Sequence, residues 1–170
     1  MKHLLLVFLV STLSLHGQSP ALEAVRQSDH SQLQSLIEAQ RDLNATDANG
    51  MTALHQAALQ DDLKCVRMLL EGKANPSVVT DYGITPLWLA CQNGNASMVK
   101  TLLKAGAVVD QISHGKQSAL MMAARAGSLE SVQALANQGA ELNTRENRGQ
   151  TAIMWASAEG HADVVAWLIE

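Results

Sequence analysis

The chain has 170 residues, of which 47 % are hydrophobic, so it is long enough and apolar enough to bury the core of one folded domain. Only 3 % of the residues are aromatic, which leaves alanine, leucine, valine and methionine to fill that core and favours closely packed helices. The net charge of −4 at pH 7, without a lysine or arginine run, excludes the basic footprint of a nucleic-acid-binding protein, so we expect no nucleic-acid partner.

The first predicted element has the pattern of a secretory signal peptide. Lys2 precedes an apolar run over residues 4–10 that extends to Leu15, and small and polar residues follow it. The run is shorter than the ~20 apolar residues of a membrane-spanning helix. We therefore expect residues 1–17 to direct export and to be removed, leaving a periplasmic or secreted protein without membrane insertion. The alternative is a buried N-terminal helix.

A repeat of constant length follows this segment. Its columns keep a step of 33 residues, as Thr52, Thr85, Ser118 and Thr151 do, and as Ala57, Ala90, Ala123 and Ala156 and Leu69, Leu102, Leu135 and Leu168 do. The step divides the chain into a degenerate unit at 18–46, complete units at 47–79, 80–112 and 113–145, and an incomplete unit at 146–170. A fixed period of this length indicates a repeat array.

Each unit predicts two short helices. Thr85 is a suitable N-cap and Pro86 a suitable first residue for one helix, which should stop at Gly94. A second helix follows, with Leu102 on its apolar face, and should end at Gly106. Since neither helix can cover its apolar face alone, neighbouring pairs must stack, and we expect Leu102 between two pairs.

These units resemble the ankyrin repeat family. The resemblance rests on Asp47, Gly50, Thr52, Leu54, His55, Ala57, Ala58, Val66, Leu69, Leu70 and Ala74, to which the next unit adds Pro86, Gly94, Gly106 and Ala107. It covers the chain from about residue 20 to residue 170. It implies an all-α solenoid of stacked helix-turn-helix pairs with projecting hairpin loops, whose concave side binds proteins.

The units depart from the family pattern at several positions. The histidine occurs only as His55, so the capping hydrogen bond attributed to it is missing from the other units. Lys116 stands in place of the turn glycine and Gly115 lies one residue early, which predicts a reshaped hairpin tip. The last unit stops inside its second helix, so we expect either a chain cut short or an end that leaves Trp167 and Ile169 poorly covered.

The resemblance also implies a partner-binding surface at the hairpin tips and the ends of the first helices. The residues at these positions are Met51, Leu59, Asp81, Tyr82, Ile84, Gln92, Asn93, His114, Gln117, Arg125, Asn147 and Arg148. Tyr82 and Ile84 have the composition of an interface hot spot, unless both fold back on the neighbouring tip. With Lys116 nearby, the later units are more basic, so a partner with an apolar patch beside an acidic one is expected.

Catalytic, cofactor and metal sites are not expected. The helix positions of Trp88 and Trp155 favour packing between units over a cofactor contact, and His161 and Asp163 do not share a helix face. No nucleophile is paired with a histidine in a recognisable motif. Cys65 and Cys91 are expected to be buried thiols, although a disulfide between them is the alternative.

The sequence and the family resemblance predict two alternative functions. The first, which we favour, is an exported, non-catalytic and monomeric protein–protein interaction module that binds through its hairpin tips and concave helix face. The second is a structural or maintenance scaffold that supports a secreted or membrane-associated enzyme or assembly, mainly through the end of the array.

Overall fold

The computed structural model describes residues 19–169, and the predicted signal peptide at 1–17 lies outside the described residues. The described chain contains helices and turns without a strand, in agreement with the predicted all-α class. The helices are α1 (Pro20–Arg26), α2 (His30–Glu38), α3 (Ala53–Leu59), α4 (Leu63–Glu71), α5 (Pro86–Gln92), α6 (Ala96–Lys104), α7 (Ala119–Arg125), α8 (Leu129–Asn137), α9 (Ala152–Ala158) and α10 (Ala162–Ile169). Consecutive helices form pairs, and one pair falls in each predicted unit.

Side-chain caps explain where these helices begin. The hydroxyl oxygens of Ser19, Thr52, Thr85 and Ser118 each accept a hydrogen bond from the backbone N–H three residues later. The side chains of Asp29, Asp62 and Asn95 start the second helices in the same way. Such caps satisfy backbone donors that have no partner within the helix, so the recurring polar residues fix the helix starts.

Small residues allow the first helices to stack closely. The alanine column Ala57, Ala90, Ala123 and Ala156 is fully buried. Neighbouring first helices contact each other more extensively than neighbouring second helices do, so the first helices provide most of the contact between units. Leu102 is fully buried, as expected of a residue in the core of the array.

Hairpins connect each pair to the next and touch one another. In the hairpin at 80–84, the N–H of Thr80 donates to the carbonyl of Ile84 at 2.9 Å. The N–H of Asp81 donates to Asn49 O of the preceding hairpin at 3.1 Å, and that of His114 donates to Tyr82 O at 2.9 Å. The tips therefore form a continuous, hydrogen-bonded row along one edge of the stack.

The predicted reshaping of the tip at Lys116 is wrong. Lys116 has φ of 58°, close to the 74° of Gly83 in the preceding hairpin. Its N–H donates to Ser113 O at 2.8 Å, as the N–H of Gly83 does to Thr80 O at 2.9 Å. The lysine thus adopts the left-handed conformation that glycine adopts elsewhere, and the backbone of the tip keeps its form.

The tryptophans and cysteines differ in how far they are buried. Trp88 and Trp155 pack against the core but are only half-buried, so the expectation that they are core residues is correct in part. Their indole nitrogens are buried without a hydrogen-bond partner in the described chain. Cys65 and Cys91 are buried free thiols, as the sequence favours.

The side chains of the last helix, α10, are unevenly covered. Trp167 is half-buried and Ile169 is 70 % exposed, so only the isoleucine is as poorly covered as expected. No helix in the described range combines the length and the apolar character that crossing a bilayer demands.

Candidate functional site

An apolar groove lies between the hairpins of the second and third helix pairs. It has a volume of about 340 Å³. Its walls are formed by Asn49, Met51, Leu59, Thr80, Tyr82, Ile84 and Leu89. We call this set the apolar groove.

The groove exposes large apolar side chains to solvent. Tyr82 is 64 % exposed and Leu59 is 47 % exposed, whereas Met51 and Ile84 are half-buried. Leu89, on α5, is 8 % exposed and belongs to the buried core that underlies the groove. Clustered apolar exposure of this kind is typical of protein-binding surfaces.

Hydrogen bonds hold the hairpin that carries Tyr82 and Ile84. The backbone N–H groups of these two residues donate to Thr80 Oγ1 at 3.3 and 3.1 Å. The carbonyl of Ile84 accepts from His55 Nε2 at 3.0 Å. The groove wall is therefore anchored both to its own hairpin and to helix α3.

His55 also caps its own helix. Its Nδ1 accepts from the backbone N–H of Thr52 at 3.2 Å, while Thr52 Oγ1 accepts from the N–H of His55 at 3.3 Å. Since Nε2 donates to Ile84, the ring is the neutral tautomer with its proton on Nε2. Burial lowers the pKa of His55 below its ordinary value of 6.5, which maintains this neutral form.

A polar column that sequence reasoning missed holds every hairpin tip. The first residue of each hairpin accepts backbone N–H groups two or four residues later through its side chain, and these residues are Asp47, Thr80, Ser113 and Glu146. All four side chains carry an acceptor oxygen and recur at the repeat step, which is the signal that could have found them. Although burial raises the pKa of Asp47, the N–H groups of Asn49 and Met51 and the Arg26 guanidinium lower it overall.

The family comparison agrees with this architecture. The family model described as ankyrin repeats (3 copies) matches residues 21–113 and 108–170. The chain belongs to the ankyrin repeat family. Ankyrin repeats generally serve as protein–protein interaction modules and are typically non-catalytic. None of the curated proteins matches the chain.

The ankyrin array brings together only some of the predicted binding residues. Met51, Leu59, Tyr82 and Ile84 meet in the apolar groove together with Asn49, which was also expected at a hairpin tip, and Thr80 and Leu89 join them without having been predicted. The other predicted residues, all at least partly exposed, are Asp81, Gln92, Asn93, His114, Gln117, Arg125, Asn147 and Arg148. The ring of His114, on the next tip, lies edge-on to Tyr82 with centroids 6.5 Å apart.

Two of these residues have structural partners within the ankyrin array. The side-chain amide of Asn93 donates to Ala58 O at 2.9 Å, so it satisfies a carbonyl at the end of α3. The guanidinium of Arg125 lies 5.5 Å from the ring centroid of Trp155, and its Nε is 3.6 Å from Glu159 Oε1. Their binding role stays a prediction, and these contacts compete with it.

A group of potential metal ligands lies at the junction of the first two repeats. His30 is 32 residues from Asp62 in sequence, whereas Asp62 and Cys65 are three residues apart, and the donor atoms of all three lie within 4.8 Å of one another. Sequence reasoning looked for ligands close together along the chain and therefore missed this group. When the units are aligned on the repeat step of 33, His30 corresponds to Leu63, which directly follows Asp62 in sequence. This alignment could have indicated that His30 lies close to Asp62 once the units stack.

Proposed function

We propose that this ankyrin array is an exported, monomeric and non-catalytic module that binds a protein partner through the apolar groove. The observation that carries the proposal is the exposure of Tyr82 and Leu59, at 64 % and 47 %, in the lining of one concavity. Burying such side chains against a partner removes apolar surface from water, which is the main driving force of association. A central aromatic anchor of this kind is typical of binding hot spots.

The hydrogen bonds around the groove favour tight binding. Thr80 and His55 hold the hairpin backbone at Tyr82 and Ile84, so little of the chain needs to become ordered when a partner arrives. Binding to a preformed surface avoids part of the entropy cost of ordering loops. The groove therefore acts as a rigid receptor for an apolar side chain of the partner.

Charges on the later hairpins define a second requirement for the partner. Lys116 and Arg148 are exposed at the tips that follow the groove. Arg125 contributes less to this basic region because Glu159 and Trp155 already contact its guanidinium. The partner surface that complements the array has an apolar side chain for the groove and an acidic group toward Lys116 and Arg148.

The proposed location rests on the sequence of residues 1–17. A lysine followed by a short apolar run and a polar region is the pattern of a cleaved export signal. Export places the groove in the periplasm or outside the cell, where the partner must also be found.

A capture experiment tests this function with three variants. Leu59→Ala with Tyr82→Ala truncates the groove, and Met154→Ala with Ile169→Ala truncates apolar residues of the last pair that are 47 % and 70 % exposed. Val108→Ala removes a 52 % exposed side chain outside the groove and serves as the control. Each chain is used as bait in the exported fraction of its source after circular dichroism has confirmed equal helix content.

We expect the parent and Val108→Ala to capture the same protein and the groove variant to retain about one tenth of it or less, because hot-spot residues each contribute about 1–2 kcal/mol or more. If only the Met154→Ala, Ile169→Ala variant lost capture of the partner, the result would contradict binding through the groove. It would support the scaffold function through the end of the array. Equal capture by all variants would also contradict binding through the groove.

A further inference from the structure

His30, Asp62 and Cys65 bring three metal-binding donor types to one place. His30 is the first residue of α2, Asp62 caps α4, and Cys65 lies in the first turn of α4. The Nε2 atom of His30 is 3.1 Å from Asp62 Oδ2, and the backbone N–H of Cys65 donates a hydrogen bond to Asp62 Oδ1 at 2.9 Å. None of the three residues lines the apolar groove.

The geometry points to a Zn²⁺ site formed by His30 Nε2, Asp62 Oδ2 and Cys65 Sγ, which we propose as a metal clip between the first two repeats. Zn²⁺ is bound by imidazole, carboxylate and thiolate at about 2.0–2.3 Å, so its ligand atoms lie about 3.3–3.8 Å apart in a tetrahedron. The 3.1 Å between His30 and Asp62 is close to that edge, and all three donor atoms lie within 4.8 Å. A rearrangement of about 1 Å completes the set.

The mixed chemistry of the donors selects the metal. Ca²⁺ and Mg²⁺ are bound by oxygen ligands, whereas imidazole and thiolate suit Zn²⁺. Three protein ligands leave the fourth tetrahedral position to water, as in other open zinc sites.

The surroundings give the ion a path from solvent and a buried end point. The side chains of His30 and Asp62 are 33 % and 21 % exposed, while Cys65 is fully buried. An ion can therefore reach the imidazole and carboxylate first and the sulfur last. Binding at the junction would hold α2 against α4.

The repeat itself makes this constellation specific to one junction. The positions that correspond to His30 in the other units are Leu63, Ala96, Leu129 and Ala162, and those that correspond to Cys65 are Gln32, Met98, Ser131 and Val164. Only the contact between the first two pairs combines an imidazole with a thiol. His30 and Cys65 both differ from the other residues of their columns at this one contact. A metal ion bound by both side chains explains why the two differences occur together.

Metal binding has a definite proton balance. The thiolate is the form of cysteine that binds a metal, so the thiol proton of Cys65 must leave to solvent when the Zn–S bond forms. Lys64 Nζ lies 3.4 Å from His30 Nδ1, so that nitrogen accepts and Nε2 carries the imidazole proton. On metal binding this proton moves to Nδ1 and the exposed Lys64 side chain turns away.

The array supplies matched variants for the test. Cys65→Ser and His30→Leu introduce residues that other units carry in these columns, at Ser131 and Leu63. Lys64→Glu introduces the residue found at Glu130 and places a carboxylate beside His30 Nδ1. In the zinc-bound form this carboxylate can accept a hydrogen bond from the Nδ1–H group. Cys91→Ala is the control, because Ala58 and Ala124 occupy the corresponding positions.

The protein purified from expression of the full chain, reduced with a phosphine, is titrated with Zn²⁺ by calorimetry and with Co²⁺ by absorption spectroscopy. We expect one Zn²⁺ per chain, a thiolate-to-cobalt charge-transfer band, and no competition from Ca²⁺ or Mg²⁺. Cys65→Ser and His30→Leu should weaken binding by about tenfold or more, Lys64→Glu should strengthen it several-fold, and Cys91→Ala should leave it unchanged.

Circular dichroism separates these effects from loss of the fold. The proposal is overturned if the parent does not bind Zn²⁺ at a 1:1 ratio. It is equally overturned if folded Cys65→Ser retains the affinity of the parent, or if the cobalt complex lacks the thiolate band.

Discussion

Lys116 shows how a single residue can depart from the repeat while the backbone keeps its conformation. The residue adopts φ of 58° at a position where Gly50, Gly83 and Gly149 have φ between 74° and 80°. A side chain in this region costs about 1–2 kcal/mol because Cβ approaches the following carbonyl oxygen. The hydrogen bonds of the hairpin must offset that cost.

We therefore predict that Lys116→Gly stabilises the protein by about 1 kcal/mol, the strain relieved minus the greater flexibility that glycine gives the unfolded chain. Urea unfolding followed by circular dichroism measures the difference. A decrease in the free energy of unfolding would mean that Lys116 makes favourable contacts that outweigh its backbone strain.

His55 gives the protein a dependence of stability on pH. The unfolded chain takes up the imidazole proton below about pH 6.5, whereas folded His55 stays neutral to lower pH because burial lowers its pKa. Between the two pKa values the unfolded state binds more protons, so the free energy of unfolding falls as the pH falls. This contribution is fully present above about pH 6.5.

His55→Met, with the residue that occurs at Met121 and Met154, removes this titration and the three hydrogen bonds of the imidazole ring. We expect a loss of about 1–2 kcal/mol at neutral pH, together with a smaller decrease in stability between about pH 7.5 and about pH 5. Urea unfolding at both pH values measures both effects. Parallel pH profiles of the parent and the variant would show that His55 does not set the dependence.

The helix pair is the element that the sequence predicts best. Thr85, Pro86, Gly94 and Gly106 mark helix starts and ends with local chemistry, and α5 and α6 begin and end within a residue or two of those marks. Local signals of this kind act between residues that are only a few positions apart in sequence. They are therefore visible without knowledge of the fold.

The contacts between units were harder to predict because they join residues about one repeat apart. The hydrogen bonds from Asp81 to Asn49 and from His55 to Ile84 exist only once the pairs stack. Leu89 was not predicted for the groove because its position on α5 gives no sign of the concavity above it. The tip at Lys116 was predicted to change because sequence pattern alone does not show that a lysine can take the left-handed conformation.

Leu102 tests the packing between helix pairs. Leu102→Ala should lower the free energy of unfolding by about 2–5 kcal/mol, because the side chain is fully buried and leaves a cavity. Val108→Ala, at a position that is 52 % exposed, should change it by about 0.5 kcal/mol or less. Similar losses from the two substitutions, measured by urea unfolding, would contradict the assigned core.

At the scale of the whole molecule, stacking creates the groove that no single repeat contains. Its residues come from two hairpins, from the end of α3 and from α5. The repeat period and the family resemblance predict a row of tips, while the concentration of apolar residues at one pair of tips comes from the individual side chains Met51, Leu59, Tyr82 and Ile84. The array thus provides a general scaffold, and these substitutions give it a particular binding surface.

Site-specific photo-crosslinking in the native source tests the central claim most directly. A photoreactive amino acid is placed at position 82 in the groove, at position 108 outside it, or at position 169 on the last helix. The account predicts that one protein is crosslinked from position 82 and is absent from the products of the other two positions. Crosslinking of that protein from position 169 but not from position 82 would contradict it and place the interface at the end of the array.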